Sequence, residues 1–235
     1  KSYLGYLWAV IPGIATTAVW MFLNSQNIIN VGETPIPYPL YVLIGSTLWI
    51  FFTQAIQTPM NAFMTSTGVL MKLKVSPLAF ILAGFGGLLF DLALKLVLVL
   101  PACLLFDVTP TIQSIYLFPL GILGIMLTGM SIGILIIPLG SLYDDVIKLV
   151  GFSLGFLMYL TPVVYPVPKE GWAATLVNLN PATFLLGATR DWLTKGSSEL
   201  TLEFSIVLAL SFAILSIGLV VLKLSMPHLI SRMGM

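Results

Sequence analysis

The few ionisable side chains inside the apolar part of this sequence are the first candidates for chemistry. Asp91 and Lys95 are four residues apart in a long apolar run, so they share one face of a helix. An apolar run of this length could cross a membrane. Charged side chains inside such a run indicate either an ion or proton relay or a mutual ion pair that faces protein. A relay would need further acids inside the apolar runs, and one pair alone makes a poor relay. We therefore favour an intramembrane ion pair.

Two neighbouring acids, Asp144 and Asp145, raise the alternative of acid–base catalysis. Adjacent residues do not share a face of a helix or strand, and these two lie in a short turn before an apolar segment. We therefore expect them to cap the following helix, where carboxylates accept hydrogen bonds from free backbone N–H groups.

The sequence has too few histidines and cysteines for the usual catalytic triads and metal sites. Its only histidine is His228 and its only cysteine is Cys103. A His-based catalytic triad, a His-based metal site and an internal disulfide are therefore excluded within this chain. The phosphate-binding pattern Gly-x-x-x-x-Gly-Lys-Ser/Thr does not occur either. We expect a chain without enzymatic activity, metal or cofactor; if ATP drives it, ATP and Mg²⁺ belong to a partner ATPase.

The composition is typical of an integral membrane protein. Of the 235 residues, 58% are hydrophobic and 8% are charged, and the mean hydropathy is +1.06. This length accommodates about six spans of roughly 20–25 residues. The sequence predicts an all-α fold in one transmembrane domain over residues 1–235. The predicted spans lie at about residues 3–24, 40–58, 78–106, 114–139, 146–160 and 202–225.

The stretch 158–192 is apolar enough to enter a bilayer but cannot cross it as one helix. Its four prolines remove backbone donors, and its charged residues would be costly in a span. These residues are Pro162, Pro166, Pro168 and Pro181, with Lys169, Glu170, Arg190 and Asp191. We expect residues 162–191 to form two short helices that dip into the outer leaflet and close a conduit. Arg190 and Asp191 are expected at the outer water interface.

The segment 59–77 begins with a proline and is amphipathic at best. It carries Lys72 and Lys74, and it is expected to form a short helix and a basic connection at one membrane surface. With six spans, six basic residues lie on the side of the termini and three on the opposite side. This imbalance favours cytoplasmic termini.

Aromatic residues recur at helical spacing in three runs. They include Trp8; Trp49 and Phe52; and Phe152, Phe156 and Tyr159. Packing in the core or against lipid, with interfacial anchoring, is the usual explanation of such runs. A conduit lined with rings that stack on sugars is the alternative. Periodicity does not show which face of a helix points inward.

Four short motifs occur in an order that is typical of one family of transporters. They are SYLGYLWAVIP at residues 2–12, LIGSTLWIFF at 43–52, TPVVYP at 161–166 and LNP at 179–181. The chain resembles the permease subunit of type-2 ABC exporters for cell-surface polysaccharides, namely O-antigen, capsule and teichoic acid. The resemblance covers nearly all of the chain. It implies a multi-pass protein of the bacterial cytoplasmic membrane and a homodimer of six-helix permeases with two ATPase subunits. The substrate that it implies is a polymer linked to a polyprenyl-diphosphate lipid.

The resemblance also implies roles for particular residues. Residues 59–77 would couple to the ATPase through Met64, Leu70, Lys72, Leu73 and Lys74. Residues 162–196 would form the outward-facing gate, with Pro162, Tyr165, Pro166, Pro181, Phe184, Arg190 and Asp191. An aromatic belt of Trp8, Trp49, Phe52, Phe156 and Tyr159 would line the conduit. The chain departs from the family at Tyr143-Asp144-Asp145, where an acid stands in the place of an arginine.

Other transport functions fit the same composition. An ABC permease for a drug or a lipid would have a closed apolar pocket in place of a continuous aromatic path. An ion-coupled secondary transporter could use Asp91 and Lys95, but inverted repeats between the two halves would support it, and the sequence shows none. A membrane transferase would need convergent polar residues that the sequence lacks.

Overall fold

The described part of the chain is helical and contains no strand. The computed structural model describes Trp8 and residues 10–29, 31–70, 76–168 and 170–233. Eight helices lie within these ranges. They are α1 (Ile11–Ser25), α2 (Tyr38–Leu70), α3 (Pro77–Leu105), α4 (Ser114–Gly140), α5 (Asp144–Leu157), α6 (Gly171–Leu179), α7 (Pro181–Thr194) and α8 (Thr201–Met233). The predicted all-α class is confirmed.

Four of these helices are long and apolar enough to cross a membrane. Within the described residues, the candidate spans are Tyr38–Ser66, Pro77–Leu105, Ser114–Gly140 and Thr201–Leu229. They coincide with the second, third, fourth and sixth predicted spans, because an apolar run in lipid must satisfy its own backbone by forming a helix. The helices α1 and α5 have 15 and 14 residues. At about 1.5 Å per residue they are shorter than a hydrocarbon core of about 30 Å.

Helix α2 is longer than the sequence predicted. The expected end near Thr58 and the separate short helix from residue 59 were wrong, because α2 continues through Pro59 to Leu70. Proline is tolerated in apolar helices that pack on neighbouring helices. The side chain of Leu70 and the residues Lys72, Leu73 and Lys74 lie outside the described residues, so the predicted coupling contacts at these positions stay predictions.

The chain packs as two compact units. The first unit comprises Lys1–Ile50, Phe90–Ile122 and Leu157–Phe204, and the second comprises Phe51–Leu89, Leu123–Phe156 and Ser205–Met235. The single transmembrane domain over residues 1–235 stays a prediction.

Each unit has its own buried apolar core. Fully buried side chains in the first unit include Leu40, Ile44, Leu48, Leu185 and Trp192, and those in the second include Phe51, Phe63, Ile81, Ile125 and Ile134. The rings of Trp192 and Phe204 meet edge to face in the first unit, with centroids 4.7 Å apart. These cores fix the helices that carry the polar side chains described below.

Small residues let α4 approach α2 closely within the second unit. A side chain added at Gly129 would collide with the Cβ of Ala55 and press against the α2 backbone at Ala55 and Ile56. One added at Gly133 would collide with the Ile56 carbonyl and the Pro59 ring. Close backbone approach through glycines four residues apart is a common way for helices to associate in lipid, where no hydrophobic force drives them together.

Candidate functional site

The joint between α6 and α7 is built around Asn180 in the first unit. Asn180 caps α7 by accepting a hydrogen bond from the Ala182 backbone N–H at 3.0 Å, and Pro181 takes the first turn, where its missing N–H costs nothing. The Asn180 amide also donates to the Thr161 hydroxyl at 2.7 Å. Thr183 donates from its hydroxyl to the Val177 carbonyl at 2.7 Å. The LNP motif thus ends α6, starts α7 and holds the irregular segment that precedes α6.

Arg190 of α7 is buried beneath that irregular segment. Its side chain is only 5% exposed. The guanidinium Nη2 donates to the carbonyl oxygens of Val163 at 2.9 Å and Pro162 at 3.2 Å. The guanidinium carbon also lies 3.7 Å from the centroid of the Tyr41 ring, which is a cation–π contact.

Tyr41 of α2 also donates hydrogen bonds to this segment. Its hydroxyl donates to the Tyr165 carbonyl at 3.0 Å and lies 3.4 Å from the Pro162 carbonyl. Segment 162–165 has no helix or strand of its own to satisfy its carbonyls, and unpaired backbone groups are costly in an apolar environment. Arg190 and Tyr41 therefore supply donors that secondary structure would supply elsewhere. Arg190, Tyr41, Pro162, Val163 and Tyr165 are called the arginine cluster below.

Gly45 of α2 makes room for the arginine cluster. A side chain at this position would overlap the Val163 carbonyl and the Arg190 guanidinium. Gly45 belongs to the motif at 43–52, and Val163 belongs to the motif at 161–166. Motifs that are far apart in the sequence therefore meet at one site.

Arg190 is buried within the chain, whereas the sequence predicted a charge in contact with water; its predicted depth at the outer interface stays a prediction. The prediction treated the charge as something to be solvated, whereas the broken backbone of 162–165 offers carbonyl acceptors that a guanidinium satisfies in a dry setting. The Nε of Arg190 has no hydrogen-bond partner among the described residues. Asp191 is only half-buried; it lies 3.1 Å from Lys195 and accepts from the Ser198 hydroxyl at 3.1 Å.

The other predicted gate residues surround the arginine cluster or lie at the start of α7. Tyr165 donates from its hydroxyl to the Tyr159 carbonyl at 2.8 Å. Burial, followed by the nearby Tyr41, raises the pKa of the Tyr165 phenol, so the hydroxyl stays protonated and remains a donor. Pro166 and Phe184 are half-buried and Pro181 is exposed. Their role in a gate stays a prediction.

The comparison with protein families decides what kind of protein carries this site. The family model described as ABC-2 type transporter matches residues 1–193. The chain belongs to the ABC-2 type transporter family. It is a membrane component of an ABC transporter, it is a multi-pass membrane protein, and membership implies partnership with ATP-binding ABC subunits. No protein among the curated sequences matches the chain.

The predicted conduit aromatics of this ABC-2 permease fall into two groups. Trp8, Phe156 and Tyr159 are exposed. Trp49 is buried in the first unit and Phe52 in the second. Their burial argues against a conduit contact, because a polymer would have to reach rings that are already covered. Periodicity alone could not separate the two groups.

Phe152 belongs to the third aromatic run of the sequence but was not among the residues of the predicted belt. Its ring is exposed and lies in the second unit with that of Phe156, at a centroid distance of 4.7 Å. The spacing of four residues in the sequence was the available signal. Tyr41, Gly45 and Asn180 were also missed as individual residues, although Gly45 and Asn180 lie within the motifs that carry the family resemblance.

The predicted pair of Asp91 and Lys95 lies on α3 of the permease. Lys95 is buried in the first unit, where it lines a small cavity with Gly13, Leu43 and Thr47. Asp91 acts on Lys95 electrostatically. The ion pair between Asp91 and Lys95 stays a prediction.

The acids that were expected to cap α5 lie inside its first turn. α5 begins at Asp144, so Asp144 and Asp145 both occupy its first turn. Carboxylates there are still stabilised by the positive end of the helix dipole. Asp145 also lies 3.3 Å from Lys148 at an exposed position, where such a pair adds little stability.

The remaining predicted coupling residue, Met64, is half-buried near the end of α2 in the second unit. A metal centre would need a cluster of suitable ligands. The described ranges contain no group of three or more His, Cys, Asp or Glu side chains that could hold a metal ion.

Proposed function

We propose that this ABC-2 permease is the transmembrane subunit of an ATP-driven exporter for a lipid-linked polysaccharide or teichoic-acid polymer. It would work in the bacterial cytoplasmic membrane with both termini in the cytoplasm. The aromatic side chains of α5 carry the proposal: Phe152 and Phe156, both in the second unit, are 65% and 59% exposed. The C–H groups of sugar rings pack on the negative faces of aromatic rings, and successive exposed rings suit a repeating polymer.

The proposal includes six spans, of which α1 and α5 would belong to the first and the fifth. The helices α6 and α7 have 9 and 14 residues. At about 1.5 Å per residue they are too short to cross a core of about 30 Å. They would form a re-entrant gate that closes the conduit at rest, with the arginine cluster holding the segment that precedes α6.

The proposed complex is a homodimer with two ATP-binding-cassette ATPase subunits. In this arrangement the chain itself has no enzymatic activity and no cofactor, and ATP and Mg²⁺ are bound by the ATPase subunits. The segment 59–77, which includes the end of α2, would dock on the ATPase.

Transport by the reconstituted complex tests the proposal. The permease and its ATPase subunits would be placed in proteoliposomes, and ATP-dependent movement of a polyprenyl-diphosphate-linked polysaccharide would be measured. Phe156→Ala should slow export about twofold to tenfold, because one aromatic contact contributes roughly 0.5–1.5 kcal/mol. Leu149→Ala, at another exposed position of α5, is the matched control.

The same preparation distinguishes the alternatives. Transport of a drug or a phospholipid with no movement of the polymer would keep the family and overturn the proposed substrate. Transport driven by an ion gradient without ATP hydrolysis would instead support a secondary transporter that uses Asp91 and Lys95.

A further inference from the structure

An apolar groove lies between the start of α3 and the last turns of α8 in the second unit. Its volume is about 340 Å³, and its walls include Leu78, Leu219, Leu222 and Met226. Two polar side chains, Ser76 and Lys223, also line it. Both are exposed. The groove therefore combines a long apolar wall with one cation and one hydroxyl.

The two helices that form this groove are the least covered of the candidate spans. Each candidate span contains an apolar stretch of 18 residues. Only 28% of this stretch in α3 and 22% of it in α8 are buried within the chain, compared with 78% in α2. The exposed side chains of α3 and α8 are mostly large and apolar, for example Leu82, Phe90, Leu210 and Phe212. In a multi-pass membrane protein such surfaces contact either lipid tails or another apolar protein surface.

The groove lies where two candidate spans end. The span of α3 starts at Pro77, and Lys223 lies near the end of the α8 span, which stops at Leu229. Each of these spans has 29 residues. At about 1.5 Å per residue such a span reaches roughly the full 40–45 Å of a bilayer with its head groups. Lys223 lies six residues before Leu229, about 9 Å along the helix, so its long side chain can carry the ammonium from inside the span to the phosphate level.

We propose that this groove is a binding site for an anionic phospholipid of the bilayer. One acyl chain would lie against Leu219 and Met226, and the phosphodiester would be held by the Lys223 ammonium and the Ser76 hydroxyl. Charge complementarity selects this occupant, because a zwitterionic lipid carries its own cation beside the phosphate and gains less from Lys223. The site rests on membership of the ABC-2 family and not on the proposed polysaccharide substrate.

Photolabelling of the assembled transporter tests the site. The permease–ATPase complex would be reconstituted in nanodiscs with phosphatidylglycerol or phosphatidylcholine that carries a photoreactive acyl chain, and labelled peptides would be identified by mass spectrometry. We expect phosphatidylglycerol to label peptides that contain residues 76–78 and 219–226, and phosphatidylcholine to label them less. Lys223→Gln should reduce the phosphatidylglycerol labelling about fivefold, the effect of one lysine near an anionic lipid surface.

Three further variants separate charge, shape and general electrostatics. Lys223→Arg keeps the charge and should keep the preference for phosphatidylglycerol. Leu219→Trp fills the groove and should reduce labelling by both lipids while Lys223 remains. Lys148→Gln removes another exposed cation of the second unit and should leave labelling in the groove unchanged.

Four results would overturn the proposal. Equal labelling by the two lipids, or unchanged labelling in Lys223→Gln, would remove the charge selection. Displacement of phosphatidylglycerol by the lipid-linked polysaccharide would assign the groove to the transport path. A disulfide between two chains that carry Lys223→Cys would assign it to an interface between copies. If Lys223→Gln does not fold, the comparison of Leu219→Trp with the native chain still decides the outcome.

Discussion

Helices α2 and α8 are equal in length but differ in what surrounds them. Each has 33 residues with one interior proline. In an apolar stretch of 18 residues, the mean hydropathy is 1.5 in α2 and 2.7 in α8. The buried share of the same stretch is 78% in α2 and 22% in α8. The more apolar helix is thus the less buried one.

This inverse relation is a property of a bilayer protein. In water the most apolar segments are buried, but lipid tails are as apolar as leucine and do not drive them inward. The protein interior is instead formed where small or polar residues permit close packing and hydrogen bonds, as at Gly45 and Tyr41 of α2. Hydropathy therefore locates the spans and does not rank their burial.

The largest effect is expected from filling the space that Gly45 leaves on α2. Gly45→Val should destabilise the permease by more than about 3 kcal/mol, because the added side chain meets a backbone carbonyl that cannot move away. Thermal unfolding of the purified protein, followed by loss of the monodisperse peak, measures this. Gly86→Val of α3 is the matched control, since nothing lies near a side chain at that position. Similar losses in both variants would contradict the close packing of α2.

The second largest loss of stability is expected when the buried cation of the arginine cluster is removed. Arg190→Met should lower stability by about 2–3 kcal/mol, because the carbonyls of Pro162 and Val163 lose their donor while the cost of a buried charge is recovered in part. The neighbouring Asp191→Asn breaks only a partly exposed ion pair with Lys195 and should cost less than about 1 kcal/mol. If Asp191→Asn is the more damaging change in the same thermal assay, the assigned importance of Arg190 is wrong.

A smaller effect is expected on the covered side of α8. Thr128 of α4 and Ser211 of α8 share a buried hydrogen bond of 2.8 Å. Ser211→Ala should cost about 0.6 kcal/mol, the average for such contacts between helices in a membrane. A double-mutant cycle with Thr128→Val measures the coupling, and a coupling of zero would show that the bond adds nothing.

The smallest effect is expected on the exposed side of α8. Leu210→Ala should change stability by less than about 0.5 kcal/mol, because the side chain is exposed within the chain and its loss leaves no internal cavity. The same thermal assay, with Ser211→Ala as the neighbouring reference, measures it. A larger loss than that of Ser211→Ala would mean that another protein chain covers this face of α8.

The sequence predicted the elements that follow from one local rule. Long apolar runs must satisfy their own backbone, and this rule located α2, α3, α4 and α8. Prolines at 162, 166, 168 and 181 indicated that residues 162–191 could not be one helix, and the structure has α6 and α7 there. Proline was the less reliable signal at residue 59, where α2 continues because its packing with α4 tolerates the missing donor.

The arginine cluster could not be predicted from local patterns. The carbonyls of 162–165 have no partners in secondary structure. Their donors include Tyr41, which is distant in the sequence. Charge alone suggested that Arg190 is solvated, and only the tertiary structure shows its carbonyl and aromatic partners. The burial of Trp49 and Phe52 was equally hidden, because a helical period identifies a face without showing what covers it.

The most direct test of polymer export compares two exposed phenylalanines of the second unit, Phe156 of α5 and Phe212 of α8, which are 59% and 55% exposed. A photoreactive amino acid would replace each in turn in the reconstituted transporter during ATP-driven export of a radiolabelled, lipid-linked polysaccharide. We predict that the probe at Phe156 crosslinks to the polymer and that the probe at Phe212 crosslinks only to bilayer lipid. Polymer at Phe212, or only lipid at Phe156 while export proceeds, would contradict the proposed conduit.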